Sequence, residues 1–156
     1  GIIAYYLAPM QAMFGPYTIL LPIAGATFGS LAYHEKNKGA LLSALFLIVA
    51  ISVYLVQNFP FPYFVIPHSL GVVLSLLGLF KKMTPLKLKI PMFTFISTIS
   101  EQGMMMIFAT HLMGLPWQLF QVILPLMVYE RIVSTVGSTL IVLALIRTVP
   151  QYFKVP

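Results

Sequence analysis

Residues 90–113 read IPMFTFISTISEQGMMMIFATHLM, a long apolar stretch with one carboxylate, Glu101, close to its middle. About 20 mostly apolar residues in helical form cross the hydrocarbon core of a bilayer. A second stretch, Leu115–Ile146, is longer and carries Glu130 followed at once by Arg131. The whole chain holds three acidic residues, and two of them lie inside these stretches. A charge at mid-bilayer costs at least about 2.5–3.5 kcal/mol, so such residues face a bundle interior or a polar pocket and mark the first place to look for function.

Composition widens this reading to the whole chain. Of 156 residues, 60% are hydrophobic and 8% charged, with mean hydropathy +0.97. Soluble domains are about 25% charged. The expected fold class is therefore an all-α integral membrane protein, a single transmembrane helical domain over 1–156. The net charge of +6 does not point to nucleic acid, because no polar domain exists to present a basic face. Cysteine is absent, which excludes disulfides, thiolate metal sites and a cysteine nucleophile. No basic n-region with a cleavage site is seen, so no signal peptide is expected.

Working outward from residues 90–113, apolar runs alternate with short breaks. Gly1–Met13 is apolar but too short to span alone at about 1.5 Å per residue. Phe14-Gly15-Pro16 interrupts it, and Pro16–Tyr33 follows. A charged loop at 34–38 precedes Ala40–Val56, and a Pro-rich aromatic loop at 57–62 precedes Tyr63–Phe80. A basic loop at 81–89 leads into Ile90–Met113. Gly114-Leu115-Pro116 turns the chain into Trp117–Ile146 and a basic tail. The expected bundle has six transmembrane helices, with five as the alternative.

Lys36, Lys38, Lys81, Lys82, Lys87, Lys89, Arg147 and Lys154 fall in alternate loops and the tail, and the turns between them carry no Lys or Arg. The positive-inside rule then makes the basic loops and the C-terminus cytoplasmic, in a multi-pass protein of the cell membrane. Phe14, Phe59, Phe61, Tyr63 and Trp117 occupy the other turns, as interfacial aromatics do.

Several residues could carry chemistry. Thr94, Ser97, Thr98 and Glu101 recur at helical spacings of three and four and are expected on one face, with Gln102 beside them. Met104, Met105, Met106 and Phe108 follow, and His111 lies near the outer end. One reading is a pocket wall, a carboxylate with soft methionine packing round a ring; the other is interhelical bonding by Ser and Thr. Glu130 and Arg131 point about 100° apart as neighbours on a helix, which disfavours their pairing. Glu101, at matching depth on the preceding helix, is one expected partner of Arg131, and a structural Arg131–Glu101 or Arg131–Glu130 bridge is expected. Ser134, Gly137 and Ser138 form a small-residue face, Gly25 and Gly29 a GxxxG, and Ala4, Ala8 and Ala12 an alanine strip. His34, His68 and His111 show no metal-ligand spacing, and no phosphate loop or nucleophile elbow occurs. Neither enzymatic activity, a metal nor a cofactor is expected.

The alanine strip, the Phe14-Gly15-Pro16 break opening a Gly-rich segment, and the final stretch from Leu124 through Glu130-Arg131 to Gly137-Ser138 resemble the substrate-binding S components of energy-coupling factor transporters. The resemblance implies a six-helix bundle that captures a vitamin-like or metal-related solute from outside and docks on a coupling membrane subunit with cytosolic ATPases. Ala4, Ala8 and Ala12 would form the docking face. Glu101, Thr98, Met105, His111, Trp117, Glu130 and Arg131 are the candidate substrate-binding residues. The alternative is a small structural or accessory subunit of a larger membrane complex, with Glu101–Arg131 as a buried staple. An open polar-aromatic cavity near Glu101 would distinguish the first from the second.

Overall fold

The computed structural model of the chain describes residues 15–33, 37–78 and 86–148. A 3-10 turn, Gly15–Ile19, leads into α1 (Leu20–Tyr33), and α2 runs over Asn37–Asn58. A second 3-10 turn, Pro62–Val65, opens α3 (Ile66–Leu77). Helix α4 (Leu86–Ile107) passes into a π-helical turn, Phe108–Leu112, and α5 spans Trp117–Thr148. The described residues contain no strand. The alanine strip at Ala4, Ala8 and Ala12 lies outside them, as does the rest of Gly1–Met13.

The breaks fall where backbone chemistry forces them. Gly15 has φ +52 and Gly114 φ +59, a region that glycine enters without a Cβ clash. At the second break the Met113 N–H donates to Phe108 O at 3.1 Å and the Leu115 N–H to Ala109 O at 3.0 Å. These bonds close the carbonyls that the helix end would otherwise orphan. Pro116 follows, and α5 begins at once.

Two expected loops are shorter than the sequence suggested. Helix α2 starts at Asn37, inside the expected charged loop, and α4 starts at Leu86, inside the expected basic loop. Lysine is a good helix former, so Lys38, Lys87 and Lys89 join first turns rather than ending them. Gln57 and Asn58 likewise complete α2 instead of opening the aromatic loop.

Helix α4 is central and packs against α1, α2, α3 and α5. Its pairing with α5 is antiparallel: Thr94 meets Thr139 (2.8 Å), Thr98 meets Thr135 (3.2 Å), and Thr98 and Glu101 meet Arg131. Against α1 the approach is closer still. Ser97 Oγ donates to Gly25 O at 2.9 Å, and a Cβ added at Gly29 would sit 2.6 Å from Ser97 Cβ. The GxxxG of α1 is therefore the seat of Ser97. Gly71 of α3 and Gly103 of α4 make similar room: an added Cβ would meet Ile99 and Leu47 at the first, and Ala50, Leu47 and Phe46 at the second.

This register gathers the exposed Lys38, Lys89 at the start of α4, and Arg147 at one end of the bundle. Phe59, Tyr63, His111 and Trp117 lie at the other. At the aromatic end Tyr54, Phe64 and Phe120 pack ring on ring, with centroids 5.0–5.4 Å apart. Tyr54 Oη donates to Phe61 O at 2.8 Å, which ties α2 to the turn that follows it.

Large apolar side chains cover the outside. Leu41, Leu45, Ile48 and Val49 of α2 are exposed, as are Val122, Leu126, Ile132, Val136, Leu140 and Ile141 of α5. Helices α2 and α5 are each long and apolar enough to cross a membrane. Helices α1 and α3, with their 3-10 turns, form shorter apolar helices.

Candidate functional site

The candidate residues divide into two assemblies on α4. The first is an ion cluster between α4 and α5. Arg131 points inward, its side chain 7% exposed. Its Nη1 donates to Thr98 O at 2.9 Å and lies 3.7 Å from Glu101 Oε2, and its Nη2 donates to Glu130 Oε1 at 2.5 Å. The expected Arg131–Glu101 contact is present. The argument against Glu130 is overturned: two long side chains bridge the roughly 100° between neighbouring positions, with Glu130 half-exposed and curling back to the guanidinium. Thr98 serves through its carbonyl, while its hydroxyl meets Thr135.

The expected polar stripe on α4 is consequently shared between two neighbours. Ser97 faces α1, and Thr94 and Thr98 face α5. Glu101 stands at the seam, its Cβ beside Gly25 and its carboxylate toward Arg131. These groups bond helix to helix.

The second assembly is a cavity of about 120 Å³ at the aromatic end, between α4 with its π-turn, the start of α5 and the Pro62–Val65 turn. Phe64 and Phe120 supply rings and Met105, Met106 and Met113 supply thioethers. Leu115, Leu119 and Ile123 complete the α5 side. Gln102 is its polar residue, and no charged side chain lines it. The π-turn borders it through Ala109, and such turns recur at functional sites because the extra residue re-aims nearby side chains.

Of the candidate residues, Met105 lines this cavity, and Thr98, Glu101, Glu130 and Arg131 belong to the ion cluster. His111 is exposed on the π-turn, and Trp117 is part-buried at the first position of α5. Neither borders the cavity. Met106, and Gln102 beside the polar stripe, belonged to the pocket-wall reading of α4 without being candidate binding residues, while Phe64 and Phe120 were not assigned to a pocket. The available signal was rotational: Gln102 follows Glu101, so it points about 100° away from the seam and toward the α5 start.

His68 is fully buried on α3, with Nδ1 3.3 Å from Phe64 O and the ring beside the backbone of Gln102. It packs the cavity's back wall against Phe64, ring centroids 6.0 Å apart. No grouping of three or more His, Cys, Asp or Glu able to hold a metal occurs among the described residues.

No protein-family model, curated protein or solved structure matches the chain.

Proposed function

We propose that this chain is a multi-pass, six-span membrane protein that captures a small solute, acting as the binding subunit of an uptake transporter of the energy-coupling factor kind. The observation that carries this reading is the ring- and methionine-lined cavity at the aromatic end, with Gln102 among its lining residues. Pockets that take small molecules are mostly apolar, with a few placed polar groups.

The membrane assignment rests on the outside of the bundle. The exposed Leu, Ile and Val side chains of α2 and α5 would cost roughly 25 cal/mol per Å² in water and nothing in lipid. Helix α2 at 22 residues is about 33 Å long and α5 at 32 residues about 48 Å, against a hydrocarbon core of about 30 Å. Helices α1 and α3 approach that thickness when their 3-10 turns are added at about 2.0 Å per residue. With the basic residues at the cytoplasmic end, the cavity faces outward, where a solute would arrive.

A second reading, a structural subunit of a larger membrane complex, draws on a specific feature. The ion cluster is bonded within the chain, and a cavity of about 120 Å³ is smaller than the roughly 300–1,000 Å³ of drug-sized sites. Native mass spectrometry of the protein extracted from its own membranes separates the two. A retained molecule of small mass, with a coupling subunit and ATPases in the larger assembly, is the outcome expected. A stable complex with other membrane proteins, without ATPases or a retained molecule, refutes solute capture.

A further inference from the structure

Rings and thioethers dominate the cavity wall: Phe64, Phe120, Met105, Met106 and Met113 stand there with aliphatic side chains of α5. Six buried side-chain polar atoms lack a hydrogen-bond partner among the described residues, on Asn58, His68, Ser75, Ser100, Thr110 and Arg131, and none of those residues borders the cavity. The wall therefore holds no orphaned polar atom for a polar ligand to satisfy. Water in a cavity needs about two to four polar partners, so this space stays dry and its lining atoms lack contacts on one side. A molecule that supplies those contacts is favoured. One that brings in a charge or a hydroxyl loses its hydration without compensation.

Size and position narrow the occupant. At about 120 Å³ the space is near the roughly 150 Å³ apolar cavity that takes up benzene, so it holds one ring with a methyl-sized substituent. Thioether sulfur packs favourably at ring edges, and methionine adapts to the shape it meets. The α5 residues on the wall, Leu119, Phe120 and Ile123, lie in the first two turns of that helix, within about 10 Å of its start. Acyl chains end near the bilayer centre, about 15 Å inside the edge of the hydrocarbon core. At the depth of the cavity a lipid offers its polar end instead.

We infer that the cavity is a binding site for the apolar ring of a small, uncharged, lipophilic solute, held by shape and dispersion between Phe64, Phe120 and the methionines. This rests on the solute-capture reading and names its substrate class.

The test uses three ring probes of nearly equal size on the full chain in lipid nanodiscs: toluene, phenol and benzoate. Binding is read from the NMR signals of methyl-labelled methionines, against the free aqueous probe concentration. Toluene is expected to shift Met105 and Met106 saturably and to leave Met92 unchanged, which packs with Phe93 and Ile96 near the other end of α4. It should bind about tenfold or more tighter than phenol, since an apolar pocket rejects an added hydroxyl by up to about a hundredfold. Benzoate should not bind. Ile123→Trp should fill the space and abolish the toluene response.

Phenol or benzoate binding as tightly as toluene, an equal response at Met92, or unchanged toluene binding in Ile123→Trp overturns the assignment. If Ile123→Trp does not fold, the wild-type ranking and Leu119→Trp decide. Contacts from lipid acyl protons to the Met105 and Met106 methyls that toluene does not displace make the occupant a lipid tail and overturn it too. A charged solute retained in mass spectrometry overturns the ligand class and leaves solute capture standing. A complex without ATPases or a retained molecule, from a chain that still binds toluene, refutes capture and leaves the chemistry of the cavity standing.

Discussion

Removing the guanidinium of Arg131 should show what the ion cluster does. In Arg131→Met, two carboxylates remain at the α4–α5 seam without their cation, and the Thr98 carbonyl loses a charged donor. Breaking a buried pair from one side costs about 3–5 kcal/mol. The lower end applies here, because Glu101 is 29% and Glu130 52% exposed. At 3.7 Å the Arg131–Glu101 attraction is about 4 kcal/mol at an effective dielectric near 20. Partial exposure of Glu101 reduces it, so a coupling of about 1–3 kcal/mol is expected. The loss at Thr98 occurs in every Arg131→Met background and cancels in a double-mutant cycle.

The cycle pairs Arg131→Met with Glu101→Gln. Glu101→Gln should recover part of the stability lost in Arg131→Met, because it removes a carboxylate that no longer has a partner. Reversible unfolding in mixed micelles, read from the fluorescence of Trp117, the chain's single tryptophan, gives the four free energies. A coupling under about 0.5 kcal/mol means the changes simply add. That result would refute the ion pair as a link between α4 and α5.

Three further outcomes are expected. Gly29→Ala places a methyl group 2.6 Å from Ser97 Cβ and should destabilise by about 1–3 kcal/mol; thermal unfolding of Gly29→Ala alone and combined with Ser97→Gly checks it, the second change restoring room. Tyr54→Phe removes the buried 2.8 Å bond to Phe61 O and should cost about 1–3 kcal/mol, with local amide exchange rising around residues 59–62. The chain has no cysteine, so single substitutions at Lys38 and Phe59, at opposite ends of α2, should be labelled by a membrane-impermeant thiol reagent from opposite faces of sealed vesicles; labelling of both from one face would rule out α2 as a span.

Much of the architecture was legible in the sequence because helix ends here are set locally. Gly114-Leu115-Pro116 stops a helix by backbone geometry, and the break falls at that position. The limits of α2 and α4 were misjudged for a local reason too: charge reads as loop in a pattern of apolar runs, yet lysine extends a helix readily. The pairing of Arg131 with Glu101 followed from matched distances to the turn at 114–116. Arg131 with Glu130 was the alternative bridge, disfavoured by helical angles and made by side-chain reach, which those angles do not show.

The sequence by itself determined the helical character of the described residues, the apolar runs that leave α2 and α5 able to cross a bilayer, and the placing of every basic residue but Arg131 in alternate loops and the tail. Each is a property of consecutive residues. Tertiary structure alone decided that the α4 stripe would be divided between α1 and α5, that Glu101 would close a seam while Gln102 lined a cavity, and that Phe64 and Phe120, 56 positions apart, would pack edge to face with centroids 5.0 Å apart on its wall. A rotation of about 100° between neighbouring residues separates a buried ion pair from a pocket wall. Which neighbour fills which direction is set by helix packing, and the glycines at 25 and 29 that bring α1 against Ser97 fix how α4 is turned.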